Sequence, residues 1–570
     1  MAETNQAGAQ IDAQLFERNM LAVASCHGPV CADRIRLARS DPRVGVQASR
    51  SGHPVPFVGS GARQAFMHSR FDPVREAGRL ASSYSKAAFY VFLGLGAGYE
   101  AAAMLEADLV TRGLIVEYGA ATLRAVLERV DLTHVLGDRR LRLLVDPDES
   151  ELNEAVAGCY VPAVTGDFVS VPLRGRIDAE PEAFHRAADA IRGSIEAISD
   201  DYSVQSFFGK RWFSNIVRNL ELSNAPTPPV GPIRSAYITA AGPSLERYAD
   251  EIRDRPRDAF LIATDTSLRA LLGRGIRPDA VISIDCQQIS YYHFSLGLPA
   301  DVPLFLDLAS PPTLSRLAVK PYFFSSGHPL SRYIASRYRA FPVLDTSGGN
   351  VTHAAVSLAE YLGASTVRIF GADFSYPFGK SYARGTYIYP YFDVRQSRLR
   401  PSESLFAEFL YRNQSISREE DDDGAFRYVT KPLVMYKERL ERLSAVASCR
   451  IERERGFGVR ADTLRDVAPR GRDSGRVFAA GRPYQKPLEF LTAYHEDIVA
   501  LPAPYRHAAA YLDGLSPHEK DVWTTMLPAA AVLRRLAGDT QAGPDELLTD
   551  TRDWCAGIVL NELRRSRSGA

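Results

Sequence analysis

Between residues 236 and 370 the chain repeats one pattern: a short apolar run closes on a small or acidic residue, and a segment with helical spacing follows. The runs fall at 236–239, 260–264, 280–284, 304–306, 322–324 and 367–370. Strands buried on both faces read as continuous apolar runs, and strands that alternate with helices pack as a parallel sheet. The pattern therefore predicts a doubly wound α/β domain over 231–400. Asp265, Asp285, Asp307 and Asp373 follow four of these strands. A parallel sheet carries such positions to its carboxyl edge, the rim at which ligands of open α/β folds bind.

A second unit of the same kind stands earlier. The apolar run 88–93 meets Gly94, Gly96 and Gly98, a helical stretch follows to residue 107, and the next strand ends in Glu117. This predicts a Rossmann-like amino-terminal domain at 81–181. Residues 1–80, with scattered Gly, Pro and Arg, read as an irregular lead-in. Residues 182–230 read as a helical linker, with the expected domain boundary at Pro226, Pro228 and Pro229. Beyond 400 the strand signal fades and 401–570 reads as a helical carboxy-terminal domain, with Pro487 and Pro528 placed at helix starts. The acidic run 419–423 reads as a solvated loop and the Arg- and Gly-rich stretch 453–482 as mobile.

Composition narrows the function. At 570 residues the chain has room for about three to four domains. Its 68 Lys and Arg balance 68 Asp and Glu, so it lacks the basic excess of a nucleic-acid binder. Six cysteines far apart are no disulfide framework and suit a reducing compartment. Cys26, His27 and Cys31 lack the second pair of a zinc site, so no metal is expected. The expected location is the cytoplasm, without a membrane span, because no leader-like or spanning apolar segment is evident.

Several residue groups could carry chemistry. Gly94, Gly96 and Gly98 with Glu117 fit either a nucleotide loop whose acid takes a ribose hydroxyl or a tight turn with no ligand. Gly242, Pro243 and Ser244 form a small-residue turn into a helix start, where free N–H groups would face an anion. Ser347, Gly348, Gly349 and Asn350 precede another helix aimed at the same rim. The four aspartates could hold a divalent cation, bond a ribose or sugar, or cap helices. Tyr376, Tyr382 and the tyrosines after them suit a sugar and its phosphate leaving group, or a packed aromatic loop.

The segments AAGPSL, IATDTSLRALLGRGIRPDAVISID and GGNVTHAAVSLAEYLGASTVRIFGADFSYPFGKSYARGT together resemble the motility-associated factor (Maf) family of flagellin glycosyltransferases, whose central domain is similar to 6-hydroxymethylpterin diphosphokinases of the MptE type. The stretch FLGLGAGYEAAAML with LIVEYGA resembles the Rossmann-like domain that precedes it. The resemblance implies a sialyltransferase-like central fold and transfer of a nonulosonic acid (pseudaminic, legionaminic or sialic type) from a CMP-activated donor to Ser or Thr of flagellin. That reaction inverts the sugar, needs no cofactor and supports flagellum assembly and motility. It also implies that Gly242, Pro243, Ser244, Asp265, Ser347, Gly348, Gly349, Asn350 and Asp373 bind the nucleotide sugar, with Asp285, Tyr376 and Tyr382 at the reaction centre. Two positions depart from the pattern: Ala241 replaces an Asn, and no His follows the tyrosine pair before His495. The general base is thus open, with His328 one candidate. The alternatives are an MptE-like diphosphokinase using ATP and Mg²⁺, and a non-catalytic protein that binds nucleotide sugar or flagellin.

Overall fold

The computed structural model describes residues 11–60, 64–84, 86–319, 321–412, 415–420, 426–454, 456, 476–505, 508–538 and 543–568. Residues 421–423 of the acidic run and 457–475 of the Arg- and Gly-rich stretch lie outside the described residues. Two compact units divide the chain. The first takes the described residues of Met1–Gly209, Leu501–Lys520 and Leu527–Arg552; the second takes those of Lys210–Ala500, Asp521–Met526 and Asp553–Ala570.

In the first unit the lead-in is ordered rather than irregular, a correction with a local cause. Helices Ala13–His27, Pro29–Leu37 and Pro73–Ser82 are each started by a cap or a first-turn proline: Asp12 caps the first, Pro29 opens the second, and Asp72 caps the third ahead of Pro73. Phe16, Met20 and Val23, at helical spacing, are buried. Strands β1 (Val44–Ala48), β2 (Pro54–Val58) and β3 (Ala65–Phe66) pair antiparallel. The Rossmann-like sheet follows: β4 (Ala88–Leu93), β5 (Val110–Glu117), β6 (Leu141–Val145) and β7 (Phe168–Pro172), all parallel, in the order β6-β5-β4-β7. Every residue of β4 is buried, as an apolar run between two helical layers requires.

The expected linker is one continuous helix, Pro181–Leu222, of 42 residues. The two units part inside it, between Gly209 and Lys210, and not at the proline run.

The second unit holds the doubly wound sheet. Strands β8 (Ser235–Thr239), β9 (Ala259–Thr264), β10 (Ala280–Ser283), β11 (Leu304–Asp307), β12 (Pro321–Phe324) and β13 (Thr366–Phe370) match the sequence reading within about one residue. A short strand β14 (Tyr376–Pro377) pairs with the hairpin β15 (Ile416–Glu420) and β16 (Phe426–Thr430). The central order is β12-β11-β10-β9-β8-β13-β17, all parallel, and its last member, β17 (Arg450–Arg453), comes from the region expected to be only helical. The strand order reverses between β8 and β13. That switch point is where the Gly242 turn and Asp373 stand.

The carboxy-terminal region is mainly helical, with Pro487–Ala500, Ala508–Gly514, Pro517–Ala537 and Pro544–Ser568. Pro487 opens its helix, but Pro528 lies inside one. The start of that helix is set eleven residues earlier by the capping box of Ser516 and Glu519, whose two hydrogen bonds fix the first turn. All six cysteines are free thiols, four of them buried. Among the described residues no helix is long and apolar enough to cross a membrane.

Candidate functional site

The strand ends of the central sheet place the predicted acids. Asp265 opens helix Asp265–Leu272 directly after β9. Its Oδ2 accepts the Ser283 hydroxyl from β10 at 2.5 Å, and its Oδ1 accepts the Thr266 N–H at 2.6 Å and hydroxyl at 3.0 Å. Asp285, just past β10, accepts the Gln287 N–H at 2.8 Å. Burial raises its carboxyl pKa and the neighbouring Asp265 charge adds to the rise, against the Gln287 N–H and His293. Asp307 ends β11 and accepts the Ala309 N–H at 2.7 Å; burial raises it too, with His328 acting in opposition. Among the described residues neither Asp265 nor Asp285 has a lysine or arginine partner, and no three His, Cys, Asp or Glu side chains gather as metal ligands.

The Gly242 turn is built around the fourth acid. Asp373 Oδ2 accepts the Ser244 N–H at 2.8 Å, and a Cβ on Gly242 would lie 2.5 Å from the same oxygen. The donor expected to face an anion therefore already faces a carboxylate of the chain. Pro243–Glu246 is a four-residue 3₁₀ turn. Asn350 caps helix Val351–Tyr361 by accepting the His353 N–H at 3.0 Å. Ser347 donates its N–H to Asp345 at 2.8 Å, and its carbonyl accepts Arg439 at 3.2 Å. Gly348 is obligatory, because a Cβ there would sit 2.0 Å from the His353 ring, and Gly349 has φ +72°.

The tyrosines gather beside the acids. Tyr382 and Tyr387 lie 6.2 Å apart between ring centres, and both feel the charge of Asp265. Tyr376 is coupled to Tyr382 and to Tyr436 of helix Lys431–Val446, and Tyr436 feels Asp285. Burial lifts all four phenols above their ordinary range, while the Arg412 guanidinium pulls Tyr376, Tyr382 and Tyr387 back. The aromatic segment is also packing: Ile388, Phe392 and Leu405 form a small core, and Tyr382, Tyr387, Tyr389 and Tyr391 all pack against it.

The histidines separate into two places. His328 caps helix Pro329–Arg337, packs against Trp212 at 4.4 Å between ring centres, and is coupled to Asp307. His293, in the 3₁₀ segment Gln288–Phe294, meets Tyr387 edge-on at 4.5 Å and is coupled to Asp285. It is 7% exposed, and its Nδ1 has no hydrogen-bond partner among the described residues. The sequence reading missed His293, Tyr436 and Arg412. A His eight residues after a strand-end Asp, inside Ser290-Tyr291-Tyr292-His293-Phe294, was the available signal.

The amino-terminal glycine loop has a different geometry. Glu117 Oε1 accepts the Leu95 N–H at 2.5 Å and its Oε2 accepts Arg176 at 3.0 Å. His68 Nε2 accepts the Ala97 N–H at 2.7 Å. A Cβ on Gly96 would meet His68 at 2.3 Å, and one on Gly94 would meet Arg176 at 2.9 Å. The cavity beside the loop measures about 10 Å³.

Fold and site define an α/β protein with an MptE-like centre. Residues 210–379 match the family described as 6-hydroxymethylpterin diphosphokinase MptE-like. An uncharacterized protein of Treponema pallidum (strain Nichols) is 35% identical over 175 residues, 30% of this chain and 83% of its own. A second from the same organism is 32% identical over 160 residues, 27% of this chain and 55% of its own. The chain belongs to the MptE-like family. Over 97% of its length, and 96% of the other, its fold is that of a Maf glycosyltransferase from Magnetospirillum magneticum AMB-1, with a TM-score of 0.59 at 15% identity.

Proposed function

We propose that the protein is an inverting glycosyltransferase that moves a nonulosonic acid from a CMP-activated donor to Ser or Thr hydroxyls of flagellin in the cytoplasm, without a required cofactor. The observation that carries this reading is the cluster of half-buried phenols around Asp265 and Asp285. Tyr376 and Tyr382 are protonated at neutral pH, as phenols are, and burial raises them further, so their O–H groups can donate to the phosphate oxygens as charge develops there. The acceptor oxygen attacks the anomeric carbon, the bond to the phosphate oxygen breaks and CMP leaves. The hydroxyl proton passes to His293, whose imidazole the Asp285 carboxylate stabilises when charged. The full-length Maf fold supports a protein acceptor.

The test is incubation of the full chain with CMP-activated pseudaminic, legionaminic and sialic acids and unmodified flagellin, read by intact mass. A mass gain of one or more sugar residues is expected. Asp285→Asn and His293→Gln should each slow it by about 10²-fold or more while CMP binding persists. Flagellin unchanged in mass with every donor would overturn the reading. The family match favours a second reading, a diphosphokinase that uses ATP and Mg²⁺ on the aspartate rim. It predicts AMP release from ATP with a hydroxymethylpterin, abolished by chelator.

A further inference from the structure

A cleft of about 480 Å³ in the second unit is walled by the long helix, the loops after β10 and β11, and the last helix of the chain. Arg211, Asn215 and Arg218 stand at i, i+4 and i+7 and so share one face of helix Pro181–Leu222. Asn215 fixes that face by donating to the carbonyls of Cys286 at 3.1 Å and Ala309 at 2.8 Å; Asn219, one turn on, donates to Leu308 at 2.9 Å and Ser310 at 2.8 Å. Arg316 enters from the loop after β11 and Arg565 from helix Pro544–Ser568. Glu562, the one acid on the wall, holds Arg565 through both oxygens. Among the described residues Arg218 and Arg316 have no carboxylate partner.

Arg218 and Arg316 put on this wall positive charge that Glu562, held by Arg565, does not balance, in a chain whose charges otherwise cancel. Like charges crowded around a cavity repel one another unless an anion enters, and the guanidinium fork fits phosphate oxygens two at a time. The volume is that of a small-molecule site. We propose that this cleft binds a phosphate-bearing small molecule. Its wall residue Cys286 directly follows Asp285, so the ligand is either the phosphate portion of a nucleotide reaching the candidate site or a separate phosphorylated compound. The assignment does not rest on glycosyl transfer: a protein that binds phosphate here and transfers no sugar keeps it while the proposed function fails.

Calorimetric titration of the full chain with pyrophosphate and with CMP, at low and high salt, tests it. Pyrophosphate should bind, more weakly as salt rises, and the double variant Arg218→Gln/Arg316→Gln should bind it at least tenfold more weakly with an unchanged circular dichroism spectrum. CMP weakened in parallel, and competing with pyrophosphate, assigns the ligand to the nucleotide. CMP unaffected while pyrophosphate is weakened assigns a separate phosphorylated compound. No pyrophosphate binding at low salt, or equal affinity in the wild type and the double variant, overturns the proposal.

Discussion

Glu117 and Asp285 hold similar positions in two parallel sheets, each at a carboxyl edge, and the protein treats them in opposite ways. Glu117 uses both carboxylate oxygens inside the fold, one on a loop N–H and one on the fully buried Arg176, while His68 and Leu173 fill the space beside the glycines. Asp285 accepts one backbone N–H and lies in a cluster of phenols and a histidine, with no cation against it. An acid neutralised by a buried arginine is part of the core. An acid half-buried without one is desolvated, a stress that a substrate or proton can relieve, and such groups concentrate at functional sites. Two acids at the strand ends of parallel sheets thus differ through residues far away in the chain.

The largest effect should come from breaking the closed edge. Arg176→Ala leaves Glu117 buried without its partner, and denaturant unfolding should show a loss of about 3–5 kcal/mol. Pairing Arg176→Met with Glu117→Gln should recover much of it. A single variant of near wild-type stability would erase the contrast between the edges.

The next effect is on pH. His27, whose Nδ1 accepts the Leu143 N–H of β6 at 3.2 Å, is lowered by burial to about 4. A histidine depressed in the folded state gives stability that is complete above its unfolded pKa near 6.5 and is lost as pH falls toward 4, here up to about 3 kcal/mol. Hydrogen exchange in β5 and β6 should accelerate over that window in the wild type and not in His27→Gln.

The smallest effect has the other sign and tests the open edge. Burial raises Asp307, so its contribution to stability falls as pH rises through the folded pKa. Asp307→Asn should therefore raise the neutral-pH melting temperature, with the gain closing as pH falls to the unfolded carboxyl value of about 4. A variant less stable than wild type at pH 7 would mean that the carboxylate is paired after all.

The central strands were legible because burial on both faces demands apolar runs, and Gly or Asp marks each end. The hairpin and β17 were not. Ile416-Ser417-Arg418-Glu419-Glu420 is exposed along most of its length, and Arg450–Arg453 has one buried residue, so edge pairing and not composition makes them strands. Asp265 and Asp285 could be read because they follow strand ends, whereas Tyr376 and Tyr382 were named from the aromatic segment after Asp373 and the family resemblance. His293, Tyr436 and Arg412 reach the same place only through folding, from segments whose sequence shows ordinary helical or turn character.

β17 has a practical consequence. Residues 210–379, the span of the family match, omit the strand that covers β13 and also the helix that brings Tyr436. A fragment cut to that span would present the bare backbone of β13, whose unpaired N–H and C=O groups invite a strand from another copy. Expressed alone it should self-associate, and the shortest usable piece must run past Arg453.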